Sequence, residues 1–126
     1  MQYMLLIYDD EERRARRSEA QNGRTAHEYG ELTQAIVNSG QFRAGGQLQP
    51  TSTSTTVREK NGKPVMMDGP FAETKEQLGG YYLVECKDLD EAISIAARIP
   101  SVRLGGSIEV RPVVPTSVAA RITSEK

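Results

Sequence analysis

The sequence predicts a single α+β domain, and three observations carry that prediction. Apolar, strand-like runs alternate with two stretches of helical periodicity, in the order β-α-β, hairpin, β-α-β. Asn61-Gly62, between two short runs of strand character, marks a tight hairpin inserted between the two halves. The runs "YMLLIY" (residues 3–8) and "YYLVEC" (residues 81–86) are apolar on both faces, as strands covered on both sides are. Together these predict a split βαβ, or ferredoxin-like, plan with an antiparallel sheet and an inserted β-hairpin. Two helices cover only one face of such a sheet. A second copy is therefore expected on the other face, giving a homodimer whose sheets meet as a dimeric α+β barrel.

After the first strand, "DDEE" (Asp9 to Glu12) and "RRARR" (Arg13 to Arg17) cancel each other's field and read as a solvated connector. From Thr25, the residues Ala26, Tyr29, Leu32, Ile36 and Val37 fall at helical spacing, and Gly40 stops that helix. "QFRAGGQLQP" reads as a short strand with a flexible Gly-Gly. Residues 54–60 and 63–67 pair across Asn61-Gly62. In "DGPF", Asp68 is expected to accept backbone N–H bonds, and Phe71 to anchor the turn in the core. Gly79-Gly80 signals a bulge or a close backbone approach. Asp88 caps the second helix, with Glu91 three residues on. Its expected buried stripe is Leu89, Ala92, Ile93, Ala96 and Ile99, and Pro100 ends it. "SIEVRPVV" closes the sheet. The domain is expected over residues 1–115, with a mobile tail over 116–126.

Composition narrows the function. Sixteen basic and seventeen acidic side chains leave a net charge of −1, which gives no reason to expect nucleic acid or an anionic membrane as partner. A single cysteine, Cys86, allows neither an internal disulfide nor a thiolate metal cluster, and its place in an apolar strand predicts a buried, inert thiol. With one histidine besides, no metal site is expected. No flavin, nicotinamide or haem motif is present, so no cofactor is expected. No run reaches membrane length and no secretion signal opens the chain, so a cytoplasmic location is expected.

The stretch "DGPFAETKEQLGGYYLVE" (Asp68 to Glu85) resembles the signature of the DGPF-domain family, within the YCII-related superfamily. "QYMLLIY", "QLQP", "DLDEAISIAARIP" and "GSIEVRPV" resemble the family too, so the likeness spans about Met1 to Val113. The resemblance implies a dimeric α+β barrel in a bacterial protein. It also implies a setting beside sigma factors of the extracytoplasmic-function group, without assigning a reaction. Some superfamily members carry a His-Asp pair, the histidine on the first helix and the aspartate near its end. His27 matches the histidine, but Asn38 stands where the aspartate would be. An amide cannot ionise, so the pair cannot work in that form here.

The residues support two functions. In the first, the protein is a small-molecule enzyme with acid-base groups in a pocket of the dimeric barrel. Asp68 or Glu73 is the base, His27 the acid, and Lys75 or Arg111 the anchor for a polar substrate. Glu76 and Tyr81 complete the substrate-binding set. If "AETKEQ" forms a helical turn, Glu73 and Glu76 share a face and interact. In the second, the protein is a non-catalytic metabolite-binding or regulatory module that contacts a sigma-factor-related protein. For each residue a plain structural role stands alongside: a surface histidine paired with Glu31, a turn that serves only the fold, a solvated charged loop.

Overall fold

The computed structural model describes residues 1–115; the tail expected over 116–126 lies outside the described residues. The elements are β1 (Gln2–Asp9), α1 (Glu11–Ala15), α2 (Glu19–Asn38), β2 (Phe42–Gln47), a 3-10 turn (Thr51–Thr53), β3 (Thr55–Lys60), β4 (Lys63–Asp68), β5 (Gln77–Glu85), α3 (Leu89–Ala97), α4 (Pro100–Arg103) and β6 (Ser107–Pro112). Four strands form one antiparallel sheet in the order β2-β5-β1-β6, and β3-β4 form a separate two-stranded ribbon. Each β-α-β unit has its two strands parted by a strand of the other, as a split βαβ plan requires. Among the described residues the sheet does not close into a barrel, and one of its faces carries no helix.

Strand parity decides which face is covered. On β1, Tyr3, Leu5, Ile7 and Asp9 are buried, while Met4, Leu6 and Tyr8 between them are half-buried. Register places Tyr82 and Val84 of β5 beside Leu5 and Tyr3. The helices cover this face with Leu32 and Ile36 of α2, Ala92, Ile95 and Ala96 of α3, and Ile99 just beyond it. Burial of these apolar groups is the main stabilising term. Two polar seams cross the layer. The Tyr82 hydroxyl shares a 2.7 Å hydrogen bond with Thr33 Oγ1, and the Tyr29 hydroxyl a 2.6 Å bond with Ser101 Oγ. Tyr81 points the other way, its ring lying against Gly46 of the edge strand.

Several elements depart from expectation, each for a local reason. The connector after β1 is mostly helical: Asp10 caps α1, and Ser18 with Gln21 forms a reciprocal capping box, so α2 begins at Glu19 rather than Thr25. Gly40, with φ +77°, ends α2 as expected. On α3 the buried residues are Ala92, Ile95 and Ala96, while Leu89 and Ile93 face solvent. The helix ends at Ala97, before Pro100, which instead opens α4. Asp88 caps α3 from its side chain to Glu91 N; the Glu91 carboxylate reaches Lys87 N and Gln41 Nε2. The strand after the DGPF turn starts at Gln77 and takes in Gly79-Gly80. A Cβ on Gly80 would stand 3.0 Å from Gly46 O, so the close backbone approach is between β5 and β2.

The hairpin turn has positive φ at both central residues, Asn61 (53°) and Gly62 (78°), as a type I′ turn requires. Phe71 is not in the core: it is 75% exposed, with the Arg58 guanidinium 5.3 Å from its ring centre. The DGPF turn is held instead by Gly69 N donating to Ser54 O and Thr56 Oγ1 donating to Gly69 O, both at 2.8 Å. The Asp68 carboxylate takes no hydrogen bond among the described residues. "AETKEQ" forms no helical turn.

Cys86 is 2% exposed, and burial pushes its thiol pKa up, with Glu91 and Glu85 adding to the rise. Folded protein at pH 8 is expected to react with a thiol reagent about a hundredfold more slowly than the urea-unfolded chain. Equal alkylation rates in the two states would contradict this burial. No helix among the described residues is long and apolar enough to cross a membrane.

Candidate functional site

The DGPF turn does not make a site alone. A cleft of about 320 Å³ lies beneath it, lined by Thr51 and Ser52 of the 3-10 turn, Gly69, Pro70 and Ala72 of the turn, and Glu73, Thr74 and Gln77 leading into β5. Its floor is tied to the end of the sheet through Glu11, the first residue of α1. The Glu11 carboxylate accepts from Thr51 N at 2.9 Å and Thr51 Oγ1 at 3.1 Å, and Glu11 N donates to Gln77 Oε1 at 3.0 Å. Gln77 Nε2 donates back to Thr74 O, and Thr74 Oγ1 to Glu76 O. These bonds fix the backbone that follows Glu73 and the 3-10 turn across from it. The Glu73 carboxylate takes no ion pair or hydrogen bond among the described residues.

The two nearby carboxylates face different ways. Glu76 is half-buried on the side of Arg13, and its Oε1 is buried with no hydrogen-bond partner among the described residues, as is Arg13 Nε. Arg13 in turn is committed to Asp9. Its guanidinium donates to Asp9 Oδ1 at 2.8 Å, and Arg17 donates to Oδ2 at 3.2 Å. Asp9 is 4% exposed, and it is the first cause of the upward shift of the Arg13 pKa, through their hydrogen bond. This ion cluster pins the connector to the end of β1, behind the cleft. The solvated connector expected here is overturned at Asp9 and Arg17: Asp9 takes the inward parity of Tyr3, Leu5 and Ile7, and its buried charge draws in the guanidiniums.

The other expected site residues are dispersed. Asp68 is exposed at the end of β4, one residue before the cleft wall, and Lys75 is exposed beside it. Tyr81 and Arg111 lie on the open face of the sheet, with Arg111 opposite Met4. His27 is 75% exposed on α2, its Nε2 2.7 Å from Glu31, in a separate groove formed with Ala20, Gly23, Arg24 and Glu28. Asn38 accepts from Gln34 Nε2 at 2.9 Å. It shares the continuous helix α2 with His27, eleven residues on, or about 16 Å along the axis. No side chain at position 38 reaches His27 within one subunit, whatever its charge. Among the described residues no three His, Cys, Asp or Glu side chains converge to hold a metal ion.

Residues 1–117 match the YCII-related domain family. The chain belongs to that family. A relative from Rhizobium meliloti (strain 1021), an uncharacterised protein, is 38% identical over 113 residues, covering 89% of this chain and 91% of its own length. The YCII-related match thus takes in the sheet, both covering helices, the hairpin and the cleft together. What sequence reading missed in this YCII-related domain was the wall opposite Glu73. Thr51 and Ser52 are brought there by tertiary contact and held from behind by Glu11 of α1, and nothing local in "DEER" or "PTST" announces it.

Proposed function

We propose that the protein is a homodimeric, metabolite-binding module of the YCII-related family, and that its ligand is a small polar molecule carrying a cationic group, bound beneath the DGPF turn. One observation carries the ligand class: the cleft presents a single free carboxylate, Glu73, among hydroxyls and an amide, with no cationic side chain in its lining. A free carboxylate with neutral donors and acceptors around it suits an ammonium or guanidinium flanked by hydroxyls. Glu73 is the anchor, with Thr51, Ser52, Thr74 and Gln77 reading the polar shape. Asp68 and Lys75 stand at the mouth. Acid-base catalysis is the less supported use of the same cleft, because His27 lies in another groove and no second titrating group lines this one.

The dimer is the split βαβ barrel expected of two such sheets. Met4, Leu6, Tyr8, Tyr81 and Leu83 form an apolar band that no element among the described residues covers. On β6, Glu109 and Arg111 flank it with opposite charges and no ion pair among the described residues. A twofold axis placed between them would set Glu109 of one copy against Arg111 of the other, a pairing that would suit self-association. In the regulatory reading, ligand occupancy would be passed to a sigma-factor-related protein, the partner that the family resemblance implies.

The test is a thermal-shift screen against amines, amino sugars, amino acids and divalent metals, with Glu73→Gln in parallel. A true ligand at a hundred times its Kd adds about 2.7 kcal/mol, a rise of several degrees. The expected result is a stabilising cationic ligand for the wild type and none for Glu73→Gln. Anionic ligands alone, or equal shifts for both proteins, would overturn the proposal. Turnover of the hit, abolished by Glu73→Gln, would make the cleft an active site.

A further inference from the structure

The hairpin poses a physical problem that the open sheet does not solve. A two-stranded ribbon is marginal in water, and this one is hydrogen-bonded to its own strands and, at the base, to the DGPF turn. Every residue of β4 is exposed, and only Thr56 of β3 is even half-buried. Yet both of its faces are apolar. Val57 and Met66 oppose each other on one face; Val65 and Met67 lie on the other, with Phe71 beyond. These five side chains are 41–75% exposed. So much uncovered apolar surface in one place marks an interaction surface.

The area of the expected dimer says what covers it. The four strands have 8, 6, 9 and 6 residues; about 4.8 Å apart and rising about 3.3 Å per residue, they offer a face of roughly 460 Å² in plan. A stable interface needs about 800 Å² from each partner. In plan the sheet face supplies little more than half of that. The hairpin leads through the DGPF turn into β5, the strand that carries Tyr81 and Leu83 on the open face, so ribbon and face are continuous in the chain. We infer that the β3–β4 hairpin is an arm that clasps a second copy of the chain and supplies the missing part of the interface. The inference rests on the face-to-face dimer proposed above. Because the arm's base is also the wall of the cleft, each cleft borders the subunit contact.

Two measurements test it. In a sedimentation dilution series, the full-length wild type is expected to be a dimer. The double variant Val57→Lys, Met66→Lys is expected to dissociate with a Kd weakened roughly thirtyfold or more, with unchanged far-UV circular dichroism. In a mixture of nitrogen-14 and nitrogen-15 wild-type protein, cross-links from Lys60 and Lys63 are expected in mixed-isotope pairs. A dimer whose Kd the double variant leaves unchanged, or cross-links confined to single-isotope chains, would overturn the arm while leaving the sheet-face dimer standing. A wild type that stays monomeric at all concentrations would remove the dimer itself, and the arm with it.

Discussion

Asp9→Asn is expected to lower the stability of the folded chain by about 3 kcal/mol, the cost of breaking a buried ion pair from one side. Asp9 is fully enclosed, and its two oxygens serve two different arginines, Arg13 and Arg17. Arg17 is itself mostly buried, and its remaining contact is the carbonyl of Leu104 at 3.4 Å. Asparagine keeps the shape and one acceptor oxygen but removes the charge that both guanidiniums answer. Urea unfolding monitored by circular dichroism should show a lower midpoint with an unchanged slope. A loss under about 1 kcal/mol would mean that solvent reaches the arginines and that the cluster does not anchor the connector.

Gly106→Ala is expected to be comparably damaging, by about 3 kcal/mol, for a steric reason. A Cβ there would stand 2.6 Å from Tyr8 O and 3.0 Å from Ser101 O. Both are main-chain atoms. Gly106 N already donates to Ser101 O at 2.7 Å, so the backbone is held on that side and cannot retreat. Gly30→Ala in α2 is the internal control. Nothing lies within 4 Å of its added Cβ, and the helix should gain about 1 kcal/mol. Thermal midpoints moving in opposite directions would confirm the contrast. A Gly106→Ala midpoint within a degree of the wild type would refute the packing of the β6 entrance.

Much of this fold is legible because its signals are local. The apolar strand run "YMLLIY", the Asn61-Gly62 pair and the Asp88 cap each depend on a few adjacent residues, and each appears in the structure. The start of α2 was less legible because "EAQNGR" turns no large apolar side chain toward the sheet; periodicity is silent where a helix is exposed all round. The informative signal there was Ser18 with Gln21. Phe71 misled for the opposite reason. A large apolar residue in a turn looks like an anchor, but its surroundings are set by the hairpin, which projects from the core instead of folding over it. The site divides in the same way. Glu73 stands out through the local crowding of charged residues, whereas the opposing Thr51 and Ser52 arrive by tertiary contact.

The core cluster draws on β1, α2, β2, β5, α3 and β6, and on no residue between Gln47 and Gln77. At that gap Gln47 already sits across from Gly80, and Leu48 N donates to Gly79 O at 2.9 Å. In effect β2 and β5 are one hairpin whose connecting loop has been opened to admit a ribbon, a turn and a cleft. Such an arrangement separates inheritance of the scaffold from inheritance of the specificity. The admitted segment can lengthen, shorten or change chemistry through successive mutations while the two strands that frame it keep their register. Relatives of this chain are free to share one sheet while differing in the segment that it frames.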